Sequence, residues 1–383
     1  MQELSERDVV ELIDWRRELH RHPELSGAEA ATATAVADML AATAPERILD
    51  HLGGTGVAAV YAGAAPGPTV LLRAELDALP IEELGNRPYG STVPGRAHLC
   101  GHDGHMATLA AVARLLGRRR PARGRVILLF QPAEETGTGA AAVIADPRFA
   151  EIRPDLAFAY HNLPGLAVGT AVLGEGLVNC ASAGMHISFL GRTAHAASPE
   201  DGISPMGALS SLMPMLTGLG GGDITDPDFA RVTVTHARLG EPSFGIAPGE
   251  AELFVTLRAL TNERMRGIRW IAEEFVRVTA EEHGLETVIA YHDEFDACDN
   301  APAAVGYLHR ALEAQGFAID ASLLPFRFSE DFGRFGAIAA SAMVFLGAGT
   351  DRPALHNPDY DFPDDLIAPA ARLFWRLIEE VVG

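Results

Sequence analysis

The first part of the chain alternates between continuous apolar runs and runs with a helical period. Residues 126–130 read VILLF, which is typical of a strand buried on both faces of a sheet. Between residues 105 and 116, Leu109, Val112 and Leu116 recur on one helical face. The same reasoning predicts strands at residues 56–61, 69–73 and 156–160 and helices at residues 4–20 and 139–145. This alternation predicts an α/β sheet covered by helices.

The middle of the chain has a different order of elements. The predicted strands and helices follow each other as β-α-β-β-α-β, at residues 184–190, 204–216, 231–239, 251–258, 264–279 and 287–292. That order is the signature of a ferredoxin-like module. Residues 304–314, 342–346 and 366–382 then return to the α/β pattern. We therefore predict an α/β domain with a mixed central sheet flanked by helices, at residues 1–181 and 293–383, and an inserted ferredoxin-like α+β domain at residues 182–292.

Charge and composition exclude several classes of partner. The chain of 383 residues carries 30 Lys and Arg against 51 Asp and Glu, a formal net charge of -21. Nucleic acids and anionic membranes need a basic surface, so neither is an expected partner. No apolar run approaches the roughly 20 residues of a membrane span, and no apolar signal segment precedes the first helix. The three cysteines are odd in number and far apart, so no disulfide framework is expected and the cytoplasm is the expected location.

The densest group of metal-binding residue types lies at residues 98–105. The segment reads HLCGHDGH and stands between a Pro/Gly-rich loop and a predicted helix. Thiolate and imidazole groups bind zinc and similar ions. A single residue between Cys100 and His102 lets both side chains reach one site. The spacing leaves open which of His98, His102 and His105 binds.

Further candidates follow predicted strands at their carboxyl ends. Glu134 and Glu135 come shortly after the VILLF strand, and His161 directly follows the next predicted strand. Folds of the α/β class place their active sites at this edge of the sheet. One carboxylate of the pair can bind metal while the other transfers protons. His356, in a polar loop before the last helix, is a further candidate ligand, and His195 is the most plausible catalytic group of the inserted module.

Other classes of protein fit parts of the sequence. Residues 137–142 read GTGAAA, a loose match to the glycine-rich fingerprint of dinucleotide-binding oxidoreductases, but the two glutamates before it would repel a pyrophosphate. A non-catalytic metal-binding protein is the second alternative, although such a protein would usually have lost the base or a ligand. A serine hydrolase is not expected, because the sequence contains no Gly-x-Ser-x-Gly elbow.

Taken together, these motifs resemble the dinuclear-metal aminoacylase and carboxypeptidase family. The resemblance is strongest to its branch with hippurate hydrolases, N-acyl-amino-acid amidohydrolases and plant auxin-conjugate hydrolases. The matching segments are ELHRHPEL (18–25), RAELDALP (73–80), HLCGHDGH (98–105), QPAEE (131–135), GRTAH (191–195), SEDF (329–332) and LHNPDYDF (355–362). They follow in the right order over almost the whole chain, which is far more specific than any one of them.

The resemblance implies a set of ligands for two divalent metal ions. These ligands are Cys100, His102, Glu135, His161 and His356. It further implies that the thiolate of Cys100 bridges the ions, that Glu134 is the general base, and that Asp77 supports the ligands. Zinc, manganese, cobalt and nickel all fit such a ligand set. The discontinuous α/β domain would be the catalytic domain.

The resemblance also implies that the inserted domain is a lid. His195 would reach the substrate from this lid, in its own subunit or in a partner's, and Arg258 matches a familiar lid arginine. The lid mediates dimers in many members of the family, so a homo-oligomer is expected. Gly245 stands where relatives usually carry an asparagine that holds the substrate's carboxylate or oxyanion.

The expected activity is metal-dependent hydrolysis of the amide bond of N-acyl amino acids, of the aminoacylase or hippurate-hydrolase type. Water held between the two ions would attack the carbonyl carbon, and Glu134 would take its proton and return it to the leaving amine. His195 would stabilise the oxyanion that forms. A dipeptidase or carboxypeptidase acting on small peptides is the alternative within the enzyme class.

Overall fold

The computed structural model describes residues 4–383. The α-helices are α1 (Glu6–Arg21), α2 (Ala30–Ala41), α3 (His102–Arg118), α4 (Gly139–Ala145), α5 (Met206–Thr217), α6 (Asn262–Glu282), α7 (Pro302–Glu313) and α8 (Ile367–Val382). The strands are β1 (Arg47–Leu52), β2 (Gly56–Ala62), β3 (Ala65–Glu75), β4 (Arg123–Gln131), β5 (Leu156–Leu163), β6 (Thr170–Val172), β7 (Gly176–Asn179), β8 (Ala181–Leu190), β9 (Ala194–His195), β10 (Ala230–Leu239), β11 (Ile246–Ala247), β12 (Glu250–Ala259), β13 (Glu286–Phe295), β14 (Cys298–Asn300), β15 (Ala318–Asp320) and β16 (Ala340–Gly347). Short 3₁₀ helices lie at Pro147–Glu151, Pro199–Asp201, Asp331–Ala337 and Asp364–Leu366.

The chain folds into two compact units. The first unit runs to Val178 and also contains Cys298–Leu324 and Asp331–Gly383. The second unit comprises Asn179–Ala297 and Pro325–Glu330. The predicted domain boundaries at residues 182 and 292 lie a few residues inside the long segment of the second unit.

The first unit is built on an eight-stranded mixed sheet with the order β1-β2-β4-β3-β5-β16-β6-β15. Strands β4, β3, β5 and β16 are parallel to one another, while β1 and β2 run antiparallel to their neighbours. The carboxyl ends of the four parallel strands therefore lie at one edge of the sheet, where an α/β fold binds its ligands. This agrees with the predicted mixed sheet.

Helices cover the sheet because their apolar residues continue its core. Helix α3 packs against α1 and α8, and it is buried along nearly its whole length. Small residues such as Ala107 and Ala111 allow this close approach, and larger ones such as Leu109 fill the space between the helices. Each fully buried leucine contributes about 1.5–3 kcal/mol of hydrophobic stabilisation. The helix that follows the predicted metal loop is thus held rigidly.

The second unit has the predicted ferredoxin-like order. Its four strands form an antiparallel sheet with the order β10-β12-β8-β13, and α5 and α6 pack against these strands. Helix α6 buries Met265, Ile268 and Ala272, the face that the hydrophobic period predicts. A separate two-stranded ribbon pairs β9 with β11.

The segment Pro325–Glu330 corrects the predicted domain assignment, which placed it with the first domain. The N–H of Cys180 donates a hydrogen bond to the carbonyl of Phe326 at 3.2 Å. The guanidinium of Arg258 donates to the carbonyl of Arg327 at 3.0 Å. These bonds, to the residue before β8 and to β12, hold the segment on the second unit.

None of the helices in residues 4–383 combines the length and the apolar character that crossing a bilayer requires. All three cysteines are buried, and no disulfide joins any two of them within residues 4–383.

Candidate metal centre and active site

The loop that carries Cys100 and His102 is shaped by the glycine between them. Gly101 precedes the first residue of α3 and has a φ of 99°, in the left-handed region. A Cβ atom at this position would lie 2.4 Å from Oδ1 of Asn162. Only glycine fits both requirements. The thiol and the imidazole consequently leave a tight turn one residue apart and reach the same site.

The other predicted ligands come from three further segments of the first unit. His161 lies in β5, and Glu135 follows the end of β4. The loop of His356 has a positive φ of 65° at that residue, and the N–H of His356 donates to the carbonyl of Leu99 at 2.9 Å. This bond ties the last predicted ligand to the loop of the first.

The donor atoms of these residues form groups around shared positions. Cys100, His102 and His161 make one group, and Cys100, Glu135 and His356 make another, with the donor atoms in each within 4.8 Å of one another. The separations include 3.3 Å from Cys100 Sγ to His161 Nε2 and 3.6 Å from His356 Nε2 to Glu135 Oε1. Ligands about 2.0–2.3 Å from a tetrahedral ion lie about 3.3–3.8 Å apart. Because both groups contain Cys100, its sulfur is close to two candidate ion positions.

Two buried polar atoms at the centre of these groups lack hydrogen-bond partners within residues 4–383. They are Nε2 of His102 and Oε1 of Glu135. They lie 3.9 Å apart, too far for a hydrogen bond to each other. Buried polar atoms are normally paired, since an unpaired one costs about 1–3 kcal/mol. A cation bound by both atoms would satisfy them, so the residues present fit a metal centre.

The reverse sides of two imidazoles are held by backbone carbonyl groups. Nδ1 of His102 lies 2.8 Å from the carbonyl oxygen of Asp77, and Nδ1 of His161 lies 2.8 Å from that of Asn162. A carbonyl oxygen only accepts, so Nδ1 carries the hydrogen in both rings and Nε2 is left with a lone pair for a metal.

Asp77 connects the two loops. Its fully buried carboxylate accepts hydrogen bonds from the N–H of Glu135 at 2.9 Å and from the hydroxyl of Ser26 at 2.6 Å. Its Oδ1 lies 3.5 Å from Nδ1 of His102. Asp77 thereby links the position of His102 to that of Glu135.

The electrostatics of the centre favour an added positive charge. Burial raises the pKa of Glu135, and the nearby Asp77 carboxylate raises it further. Burial alone would lower the pKa of His102, but the carboxylates of Asp77 and Glu75 raise it well above the usual value. Both shifts show an excess of negative charge that takes up protons, and a divalent cation would neutralise the same charge. Burial lowers the pKa of His161, which keeps its imidazole in the neutral, metal-binding form.

Glu134 belongs to a further candidate donor group, with His102 and Glu135. Its side chain is buried, and Oε2 is 3.9 Å from Nε2 of His102. Its other oxygen, Oε1, accepts a hydrogen bond from the N–H of Asp331 at 3.3 Å. The carboxylate is therefore close enough to exchange a proton with a water molecule held among the ligands.

The structure distinguishes between the three histidines of the loop. Both ring nitrogens of His105 are engaged, Nδ1 with Glu75 Oε2 and Nε2 with Asn162 Oδ1, each at 2.6 Å. His98 belongs to none of the donor groups. This geometry favours His102, whose Nε2 is unengaged.

The predicted residues of the second unit form their own local arrangement. His195 is exposed on β9, and its Nδ1 accepts a hydrogen bond from the N–H of Ala197 at 3.0 Å. The carbonyl of Gly245 accepts from the N–H of Ala196 at 3.0 Å, so the two predicted positions are close together. Arg258 bonds the hydroxyl of Ser329 at 3.0 Å.

Sequence reasoning missed a buried polar network behind the centre. Arg73 is fully buried and pairs with Glu75 and with Asp331, and Gln131 bonds the same aspartate. The only signal in the sequence was a charged residue at the end of an apolar strand pattern. This signal does not show which residues would pair with that charge.

Comparison with known proteins identifies the family. The model of peptidase family M20/M25/M40 matches residues 71–380. The chain belongs to this family. The match covers most of the chain and confirms the resemblance deduced from the seven sequence segments.

Relatives with assigned activities cover nearly the whole chain. Hippurate hydrolase of Campylobacter jejuni is 32% identical over 364 residues, 94% of this chain and 94% of that protein. An N-acetylcysteine deacetylase of Bacillus subtilis is 29% identical over 369 residues, 96% of this chain and 95% of that protein. An N-acetyldiaminopimelate deacetylase of Listeria monocytogenes is 30% identical over 372 residues, 96% of this chain and 99% of that protein.

Solved structures share the fold. The Bacillus subtilis YXEP protein, a dinuclear metal-binding peptidase from the M20 family, superposes with a TM-score of 0.81 at 27% identity over 99% of both chains. A putative aminohydrolase from methicillin-resistant Staphylococcus aureus superposes with a TM-score of 0.86 at 24% identity, over 98% of this chain and 97% of that one. This chain is accordingly a metal-dependent amidohydrolase, as predicted. The alternative of a dinucleotide-binding oxidoreductase does not fit its family.

Proposed function

We propose that this protein hydrolyses the amide bond of N-acyl amino acids, using two divalent metal ions held by five side chains of the first unit. Those side chains are Cys100, His102, Glu135, His161 and His356. The observation that carries the proposal is the pair of buried, unpartnered atoms on His102 and Glu135, which lie within donor groups that share Cys100. The proposed ions are zinc, manganese, cobalt or nickel.

Two ions bound by these ligands would polarise the substrate carbonyl and lower the pKa of a water molecule. The chain's own residues supply the remaining steps. Glu134 takes the proton of the attacking water at its Oε2, the oxygen that faces His102. The same carboxyl then gives the proton to the departing amine nitrogen. The neighbouring Asp77 keeps His102 and the backbone of Glu135 in place throughout.

His195 is proposed to stabilise the oxyanion. Two observations support this role. Its Nδ1 accepts the N–H of Ala197, so Nε2 carries the hydrogen of the neutral ring. A hydrogen directed outward from an exposed imidazole is the donor that an oxyanion requires. The protein is predicted to form a homo-oligomer, in which the ring would serve either its own subunit or a partner's. The homo-oligomer and the cytoplasmic location both stay predictions.

The substrate class rests on the relatives. Hippurate hydrolase, N-acetylcysteine deacetylase and N-acetyldiaminopimelate deacetylase all remove an acyl group from an amino acid nitrogen, by their names. The acyl group and the amino acid that this protein prefers differ from those of relatives with the asparagine, because Gly245 has no side chain with which to hold a carboxylate. Arg258 is the proposed positive group that takes over part of this binding; burial lowers its pKa, but the guanidinium stays charged.

The test is a screen of N-acetyl, N-benzoyl and dipeptide substrates with metal-reconstituted protein, read by release of free amine. The Glu134→Gln variant is expected to keep its metal and to lose about 10²–10⁴-fold in kcat. Glu24→Gln is the matched control, because Glu24 bonds Thr32 and is not among the candidate donors. Preferred cleavage of dipeptides would favour the peptidase alternative, and full activity of the Glu134→Gln variant would refute the assignment of the base.

A further inference from the structure

The motif Ser329-Glu330-Asp331-Phe332 has no role in the proposed reaction, yet its aspartate is among the most enclosed groups of the first unit. Asp331 begins a 3₁₀ helix and is completely buried. Its Oδ1 accepts hydrogen bonds from Nη2 of Arg73 at 2.5 Å and from Nε2 of Gln131 at 2.9 Å. Its Oδ2 accepts from the N–H of Ala140 at 2.8 Å and from the same Nε2 of Gln131 at 2.7 Å. Burial of this kind is stable only because every carboxylate oxygen is paired.

Two of these partners lie on either side of Glu134 in the chain. Gln131 is the last residue of β4, and Ala140 lies in the first turn of α4. Glu134 stands in the short connection between these two elements. One carboxylate therefore bonds both ends of the connection that carries the proposed base, and a change in that carboxylate would weaken a hydrogen bond at each end.

Asp331 also contacts the base directly. Its N–H donates to Oε1 of Glu134 at 3.3 Å, and both residues are buried at this point. The opposite oxygen, Oε2, is the one that lies 3.9 Å from Nε2 of His102. Because one oxygen is occupied by the backbone of Asp331, the carboxylate presents the other oxygen to the candidate metal ligands.

We propose that Asp331 is the positioning residue for Glu134. Its side chain anchors the segment on both sides of the base, and its N–H holds the orientation of the Glu134 carboxylate relative to the ligands. This inference rests on the proposed function of Glu134. Misplacement of a reacting group by about 1 Å can cost on the order of 10²-fold in rate, so loss of the anchor should lower kcat by about 10- to 100-fold.

The experiment compares Asp331→Asn, Glu134→Gln and the double variant, with metal content and thermal unfolding measured on each. Asparagine keeps the volume of the side chain and removes its charge and one acceptor oxygen. Asp8→Asn is the matched control, because Asp8 is also a buried carboxylate that accepts a backbone N–H and pairs with an arginine. Gln131→Met provides a second variant that weakens the same anchor without a change in charge, should the asparagine variant fold poorly.

The expected result is a fall in kcat for Asp331→Asn with KM within about twofold of wild type, and unchanged metal content. The double variant should be no slower than Glu134→Gln alone, because the anchor has no base left to position. The proposal is overturned if Asp331→Asn and Gln131→Met leave kcat unchanged, or if the loss equals the fraction of protein that has lost metal or structure. It is also overturned if Asp331→Asn slows the Glu134→Gln variant by the same factor as wild type. High activity of Glu134→Gln by itself would instead refute the proposed function of Glu134.

Discussion

Replacing Gly101 by alanine should damage the metal centre from within its own loop. The left-handed φ of 99° costs an alanine about 1–2 kcal/mol. The new Cβ would also lie 2.4 Å from Oδ1 of Asn162, which must move away. That amide bonds His105 Nε2 and the hydroxyl of Tyr360, each at 2.6 Å. Loss of one such buried bond costs about 1–3 kcal/mol, so the total destabilisation should be about 2–5 kcal/mol.

The assay is urea unfolding followed by circular dichroism, together with metal analysis of the purified protein. Gly165→Ala is the matched control, because Gly165 has a φ of 84° and no atom within 4 Å of its added Cβ. The control carries only the backbone cost of about 1–2 kcal/mol and should keep its metal. If Gly101→Ala were as stable as the control and bound metal equally well, the close approach to Asn162 would not constrain the loop.

Three further changes test other parts of the structure. His20 is buried, which lowers its pKa, but its hydrogen bonds to Asp103 and Glu83 outweigh this and raise the pKa to about 9. The shift corresponds to about 3 kcal/mol of stabilisation, which is complete below pH 6.5 and is lost as the pH rises to 9. His20→Gln should therefore weaken the pH dependence of the unfolding midpoint over that window. A pH profile equal to that of wild type would contradict the pairing. Cys100→Ala should bind less than one metal ion per chain, because the group with His161 and the group with His356 share this sulfur, whereas Cys298→Ala should bind as wild type. Gly245→Asn should leave the unfolding midpoint unchanged, since no atom lies within 4 Å of the added Cβ, and should lower KM for N-acyl amino acids; an unchanged KM would separate this position from substrate binding.

The sequence predicts those features that depend on strand ends. The apolar run at residues 126–130 marks a buried strand, and the structure has β4 there. Glu134, Glu135 and His161 could be assigned to one edge of the sheet because parallel strands end at the same side. The start of α3 was less predictable. Apolar periodicity indicated a helix from residue 105, but it begins at His102, because its first turn is polar: His102 lies among the candidate ligands and Asp103 pairs with Arg16.

Contacts between distant polar residues could not be predicted from spacing. Arg73 and Asp331 are 258 residues apart, and no periodicity relates them. The same holds for Asn162, which joins His105 to Tyr360 and limits residue 101 to glycine. Such residues act through tertiary hydrogen bonds, for which a single sequence carries no pairwise signal. The transfer of Pro325–Glu330 to the second unit has the same cause.

Five side chains of the first unit are proposed to surround two metal ions. Anomalous diffraction from crystals of the metal-reconstituted protein, collected at the absorption edge of that metal, tests this arrangement most directly. Two peaks are expected, both within about 2.3–2.6 Å of Cys100 Sγ, one near His161 and the other near His356. A single peak, or a peak remote from the sulfur of Cys100, would contradict this arrangement.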